Sequence, residues 1–218
     1  MFENGHQYIA GEFCVGTADR EVDIVNPATG EVLARPDLAS PGDVDAAVRS
    51  ARDAYPQWSG STPAERSDAM LAFAAELHTI EAELASAETL QTGKRLRMSA
   101  EFDVAGSIDN VAFFAGAARH LTGLATGEYS GEHTSSIRRE PLGVVGSVAP
   151  WNYPLQMAAW KVLPAIAAGN TIVLKAAEIT PYTSLMFAEA ATRAGIPPGD
   201  QRTDRNRPGR RRGSRRAP

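Results

Sequence analysis

The sequence predicts an α/β fold: the start of a Rossmann-like parallel sheet, preceded by helices and short strands. Three observations predict it. Between Val144 and Lys175 an apolar run, an apolar helical stretch closed by Gly169 and a second apolar run follow one another, which is the size and order of a βαβ unit. Ahead of it stand four helical patterns, two of them opened by a cap residue followed by proline. Ahead of those, short β-patterned segments are punctuated by glycine and proline. Strands alternating with helices in this way mark an open α/β sheet.

Each element has a local reason. Tyr8 to Val15 and Arg20 to Val32 alternate weakly between Gly11, Gly16, Pro27 and Gly30, and read as short strands or hairpins with a turn over Asn26–Glu31. Ser40-Pro41-Gly42-Asp43 opens a helix with a cap, a proline at the first helical position and an acid in the first turn. Val44, Ala47, Val48, Ala51 and Tyr55 follow at helical spacing. Thr62-Pro63-Ala64-Glu65 is a capping box, and Met70, Phe73, Ala74 and Leu77 form the stripe behind it. A third helix ends near Gly93, and a fourth spans roughly Ala100 to His120 with Val104, Ile108, Val111 and Phe114 on one side. Gly123 to Glu132 reads as a glycine-rich turn region, and His133 to Glu140 as a strand. Val144–Ala149 and Thr171–Leu174 are expected as buried strands flanking a helix over 155–168, and a last helix runs from Pro181 to Gly195.

Composition bounds the function. Hydrophobic residues are 43% and charged residues 22% of 218, the balance of a globular protein rather than a disordered or fibrous one. No apolar run has the length of a membrane helix. The N-terminus lacks the pattern of a secretory signal and Cys14 is the one cysteine, so a cytoplasmic setting without an intrachain disulfide is expected. The net charge of −4 conceals an asymmetry: residues 201–218 hold eight arginines against Asp204, while the first 200 residues hold 14 basic and 25 acidic groups. The first part reads as an acidic folded unit, and 200–218 as an arginine-rich tail expected to be disordered. Charge alone would let such a tail meet nucleic acid or anionic lipid. It has no interleaved aromatics, so no nucleic-acid or membrane partner is expected.

Two parallel strands point their carboxyl ends to one edge, where ligands bind in such folds. Asn152 follows the first strand; Lys175 and Glu178 follow the second. An amide N–H there can stabilise a developing oxyanion, and a lysine with a carboxylate suits the hydroxyls of a ribose. Asn152 also reads simply as a turn residue between two prolines, Lys175 as a solvated strand end, and Glu178 as an acid near a helix start. The sequence contains no G-x-G-x-x-G after the first strand, no P-loop, no zinc motif and no G-x-S-x-G elbow. No metal site is expected. Trp151 and Trp160 read equally as core aromatics, the four histidines as surface residues, and Cys14 as a small core hydrophobe.

Gly143-Val144-Val145-Gly146-Ser147-Val148-Ala149-Pro150-Trp151-Asn152-Tyr153-Pro154 resembles the first nucleotide-binding strand of NAD(P)-dependent aldehyde dehydrogenases, and Ala168-Gly169-Asn170-Thr171-Ile172-Val173-Leu174-Lys175-Ala176-Ala177-Glu178 their second. Arg139–Gly143, Leu90–Lys94 and Asn26–Val32 fit as well, so the resemblance covers about residues 7–199. Trp160-Lys161 and Asn152-Tyr153-Pro154 are similar to the betaine-aldehyde and aminobutyraldehyde branch. The resemblance implies an incomplete aldehyde-dehydrogenase fold and an oxidoreductase that turns a small aldehyde into its acid with NAD, NADP being the weaker expectation. It implies that Asn152 donates to the oxyanion, that Ala149, Pro150 and Trp151 line the nicotinamide–ribose channel, and that Lys175, Ala176, Ala177 and Glu178 hold the adenosine ribose. Lys161 would match a charge-relay lysine of the betaine-aldehyde branch, and the strands around 125–140 would join subunits in a homo-oligomer.

Two local departures stand out: Ala176 replaces a usual proline, and Gln91 replaces an acid that some relatives use for a monovalent cation. The family's nucleophilic cysteine, general-base glutamate and second glycine motif fall downstream of the match, and the arginine-rich residues replace an expected strand. The expectation is a truncated or frameshifted chain, inactive by itself, divided into 1–122 (strands and helices), 123–141 (subunit-contact strands), 142–199 (first part of the NAD-binding region) and 200–218 (tail). A non-catalytic binding or regulatory module, acting through the contact strands or the tail, is the alternative.

Overall fold

The computed structural model describes residues 6–198, so the tail at 200–218 and its reading as disordered lie outside the described residues. The chain opens with two short antiparallel hairpins: β1 (Gln7–Ile9) with β2 (Glu12–Cys14), and β3 (Ile24–Val25) with β4 (Val32–Ala34). Helices α1 (Pro41–Ser59), α2 (Pro63–Thr79) and α3 (Glu81–Thr92) follow, then a short α4 (Leu96–Met98) that runs through a π-helical stretch, Ser99–Val104, into α5 (Ala105–Ala118). An antiparallel hairpin, β5 (Leu124–Ser130) and β6 (His133–Ile137), leads to β7 (Val144–Val148), α6 (Pro154–Ala167), β8 (Thr171–Lys175) and α7 (Tyr182–Arg193). β7 and β8 pair in parallel from Val144 opposite Thr171 to Val148 opposite Lys175. The predicted βαβ unit is therefore present and carries the α/β character of the fold.

The expected caps close both boxes. Ser40 Oγ accepts from the Asp43 N–H while Asp43 accepts from the Ser40 N–H, and Thr62 and Glu65 do the same. Gly93 stops α3 in the left-handed conformation, with φ of 74°, which glycine adopts without the Cβ penalty. A Cβ there would lie 2.7 Å from Pro27 Cγ, so the end of α3 is laid directly on the Asn26–Glu31 turn.

The core is helical. Met70, Phe73 and Leu77 of α2, Leu84 of α3, Ile108 and Val111 of α5, Leu155 and Leu163 of α6, and Phe187 of α7 meet in one buried cluster. Phe73 and Phe187 pack edge to face at 4.6 Å. Helices α1 and α6 both pack on β8, and Thr171 Oγ1 donates to the Ala51 carbonyl. Buried polar groups fasten the carboxyl end of α6. Arg66 Nε donates to the Ala167 carbonyl and Trp58 Nε1 to that of Ile166, placing a cation where the helix dipole is negative. Asn170 Oδ1 accepts from the Leu142 and Gly143 N–H groups and its amide donates to the Ala165 carbonyl, so the entry to β7 is tied to the exit of α6.

Several expectations are corrected. The buried face of α1 is Ser50, Ala51, Ala54 and Trp58; Val44 is exposed, because the helix meets the sheet only in its second half. The fourth helix begins earlier than Ala100 and contains the π-helical stretch. Gly123–Glu132 is largely the strand β5, glycine being tolerated where β6 supplies the pairing. Strands β7 and β8 are half-buried rather than buried, with Val148 open to solvent. Trp151 and Trp160 are exposed rather than core residues. His6 is half-buried beside Tyr182, and burial lowers its pKa. Cys14 is only half-buried.

Candidate functional site at the carboxyl edge of the parallel strands

The parallel register brings the ends of β7 and β8 together: the Ala149 N–H donates to the Lys175 carbonyl at 2.9 Å. Ala149 is buried, and the chain then turns outward through Pro150, Trp151, Asn152 and Tyr153, all exposed, before Pro154 starts α6. The topology thus sets Asn152 and the Lys175–Glu178 segment at one sheet edge, as the order of elements predicts. Lys175 Nζ lies 2.7 Å from Glu178 Oε1. That hydrogen bond, the largest of several causes, holds the Glu178 carboxyl below its ordinary pKa. An ammonium and an ionised carboxylate stand side by side on the surface. Ala176 and Ala177 form the short link between them.

A cleft of about 480 Å³ lies beside this edge, lined by Asp23, Val25, Gln91, Lys94, Trp151 and Asn152 among others. It brings the β3–β4 hairpin, the end of α3 and the β7–α6 turn into one wall. Lys175 and Glu178 are not on that wall, although Ile179 and Thr180, which follow them, are. Thr180 Oγ1 is buried there without a hydrogen-bond partner among the described residues. Lys161 lies half-buried within α6, away from the cleft lining. The structure therefore unites Asn152 and Trp151 in one cleft, joins Lys175 to Glu178 at the same edge, and leaves Lys161 apart from both.

Behind the cleft is a polar cluster whose members, apart from Gln91, are assigned no site role by the sequence. Glu88 is fully buried; its Oε2 accepts from Thr183 Oγ1 at 2.6 Å and from Gln91 Nε2 at 3.1 Å. Gln91 Nε2 also donates to Thr183 Oγ1, and Gln91 Oε1 accepts from the Tyr182 N–H at 2.8 Å. Lys94 Nζ sits 2.7 Å from Asp103 Oδ2, 3.9 Å from Glu88 Oε1 and 4.0 Å from the centre of the Tyr153 ring. Burial raises the Glu88 pKa, the hydrogen bond from Thr183 and the charge of Lys94 opposing it. Gln91, which stands where the resemblance leads one to expect an acid, is neutral, and its amide oxygen accepts from the Tyr182 N–H. Among the described residues no group of three or more His, Cys, Asp or Glu side chains could hold a metal ion. No helix among them is long and apolar enough to cross a membrane.

Cys14 lies on β2, outside the cleft lining, and burial followed by the charges of Asp43 and Glu12 pushes its thiol pKa up. That is the opposite of the activation a nucleophilic thiolate needs.

Comparison with known proteins places this geometry. The sequence profile of the aldehyde dehydrogenase family matches residues 14–200. The fold is similar to PnpE from Pseudomonas sp. WBC-3, with 37% identity and a TM-score of 0.85 over 90% of this chain and 40% of that one. It is similar to an NAD⁺ complex of aldehyde dehydrogenase from Bacillus cereus, with 37% identity and a TM-score of 0.84 over 89% and 40%. It is also similar to the aldehyde dehydrogenase KauB from Pseudomonas aeruginosa, with 34% identity and a TM-score of 0.84 over 89% and 39%. The chain spans about 40% of the length of these solved relatives. Profile, fold and the ordered motifs at the sheet edge agree: the chain belongs to the aldehyde dehydrogenase family.

Proposed function

We propose that this chain carries the first part of the cofactor site and the oxyanion donor of an NAD-dependent aldehyde dehydrogenase, an oxidoreductase that converts an aldehyde to its acid. The observation that carries the reading is the shared edge: Asn152 just past β7, and the Lys175–Glu178 pair at 2.7 Å at the carboxyl end of its hydrogen-bonded neighbour β8. A donor and an acceptor at that spacing fit two ribose hydroxyls, so the residues present suit a nucleotide. Bound NAD⁺ supplies the hydride acceptor. Lys175 donates to a ribose oxygen, Glu178 accepts from a ribose hydroxyl, and Ala176 and Ala177 leave room for the sugar. Ala149, Pro150 and Trp151 form the wall of the nicotinamide–ribose channel. The Asn152 amide donates to the oxygen on which charge develops. The Glu178 carboxylate repels a 2′-phosphate, favouring NAD over NADP.

Trp160-Lys161 and Asn152-Tyr153-Pro154 support aminobutyraldehyde or betaine aldehyde as the substrate, Lys161 serving as a charge-relay residue in that branch. The β6 strand, exposed along its whole length, supports a homo-oligomer contact over 123–141, between the elements of 1–122 and the NAD-binding region of 142–199. Its exposure equally favours the second reading, a non-catalytic binding module. With Cys14 as the one cysteine of this polypeptide, it is expected to bind cofactor without turning over aldehyde.

Titration calorimetry with NAD⁺ and NADP⁺, beside an aminobutyraldehyde turnover assay, tests this. NAD⁺ binding that is weakened about tenfold or more by Lys175→Ala or Glu178→Ala supports it, since hydrogen bonds to charged groups contribute about 1.5–3 kcal/mol. Absence of NAD⁺ binding at millimolar concentration sinks it in favour of the binding module. Turnover by the purified chain overturns its inactivity.

A further inference from the structure

The turn that carries Asn152 has little to hold it. Pro150, Trp151, Asn152 and Tyr153 are all exposed. Among the described residues, backbone bonds fix its two ends, from the Ala149 N–H to the Lys175 carbonyl and from the Met157 N–H to the Tyr153 carbonyl. Tyr153 opens α6 with no side-chain cap. Among the described residues, a cation reaches the turn from elsewhere in the fold: Lys94 Nζ, 4.0 Å over the Tyr153 ring.

Lys94 is itself placed from behind. Gly93 takes the left-handed turn that ends α3 and directs the next residue toward the cleft. Asp103, nearly fully buried within the π-helical stretch, takes the ammonium at 2.7 Å, with Glu88 at 3.9 Å. The exposed neighbour Phe102 and the buried Asp103 show how that stretch turns its carboxylate inward. A lysine side chain three-quarters withdrawn from water, its ammonium anchored on one side by a buried carboxylate, presents another face to an aromatic ring, an attractive arrangement for a cation.

We propose that Lys94 is a positioning residue: anchored by Asp103, it clamps the Tyr153 ring and so fixes the adjacent Asn152 amide for its role in the cleft. The inference rests on the assignment of Asn152 to the oxyanion, but the clamp is observable without any ligand.

The test is ¹⁵N relaxation of the chain, read at the Asn152 backbone and side-chain amides, with NAD⁺ titration alongside. Tyr153→Leu removes the ring and leaves the buried ion pair intact; Tyr153→Phe keeps the aromatic face. Lys94→Met is paired with Asp103→Asn so that Asp103 does not lose its ammonium as a buried carboxylate; Glu88, farther off at 3.9 Å, keeps its hydrogen bonds from Thr183 and Gln91. The Asn152 order parameter is expected to fall from the rigid range near about 0.85 to below about 0.6 in Tyr153→Leu and in Lys94→Met/Asp103→Asn. Tyr153→Phe and Lys94→Arg should retain it, while core amides such as Val111 stay rigid throughout. Because the same turn carries Pro150 and Trp151 of the proposed nicotinamide–ribose channel, NAD⁺ affinity should weaken about tenfold in the loosened variants. An Asn152 that stays equally rigid in Tyr153→Leu overturns the clamp. So does weaker NAD⁺ binding in the lysine variant with a rigid turn, which would make Lys94 a direct ligand contact. If the wild-type chain binds no NAD⁺, the function above fails and the relaxation result still decides the clamp.

Discussion

Glu88 shows what a buried acid does when its partners are mostly neutral. Its side chain is out of solvent, its Oε2 takes hydrogen bonds from Thr183 and Gln91, and the cation nearest it among the described residues, Lys94, is held closer by Asp103. Desolvation therefore dominates and the pKa rises. An acid whose pKa is higher folded than unfolded binds more protons in the native state, so stability is greatest below the unfolded value and falls as pH rises toward the folded one. Glu88→Gln should preserve the contacts to Thr183 and Gln91 while removing that loss. Urea titrations at several pH values should show a flatter decline for the variant above about pH 4.3, the ordinary glutamate value; parallel curves would refute the assignment. At this scale the legibility of the site was uneven. Asn152, Lys175 and Glu178 were readable because strand order alone fixes which backbone positions reach the ligand edge. Lys94, Asp103 and Tyr153 were not, because their meeting depends on the direction in which Gly93 turns the chain and on a π-helical stretch that no residue pattern announces.

Among the elements, the helix starts were the most legible. Ser40–Asp43 and Thr62–Glu65 satisfy their own backbone donors within four residues, so nothing distant is needed to form them. Asp43 does more than the box requires. It also accepts from the N–H and Oγ1 of Thr17, fastening the loop after β2 to the start of α1. These hydrogen bonds hold its pKa well below the ordinary 3.8. A depressed carboxyl contributes stability that is complete above the unfolded pKa and is lost as pH falls through that value toward the folded one. Asp43→Ala should cost about 1 kcal/mol, a typical loss for a helix cap, or about 2–4 °C in melting temperature for a domain of this size. The difference from wild type, followed by circular dichroism, should shrink below about pH 3. A variant that melts like wild type at neutral pH would show that the Thr17 contacts carry no stability. The elements that escaped notice are those with distant causes. β5 is strand because β6 pairs with it, despite its glycine, and Val44 is exposed because α1 reaches the sheet only from Ser50 onward.

At the scale of the whole molecule, the helical core and the sheet are unequally complete. The helices enclose a continuous cluster from Trp58 to Ile196. The parallel sheet has only two strands among the described residues, and neither β7 nor β8 has a second neighbour there. Backbone N–H and C=O groups on the outer edges of such a pair form a template for a further strand, and parallel strands are ordinarily covered on both faces. Here β7 and β8 are only half-covered, Val148 is 63% exposed and Leu142, at the entry to β7, is 93% exposed. Trp151 and Trp160 add aromatic surface beyond the same sheet. Exposed apolar side chains favour association in water, and an open edge gives it a direction. The chain should therefore self-associate in a concentration-dependent way at neutral pH, seen as a rising sedimentation coefficient across the micromolar range. A lysine on an edge strand opposes strand addition, so Val148→Lys should shift the chain toward monomer without lowering its melting temperature. A substitution on the exposed β6 strand, Ile137→Lys, separates the alternatives. If it disperses the assembly and Val148→Lys does not, the contact lies at the β5–β6 hairpin rather than at the open sheet.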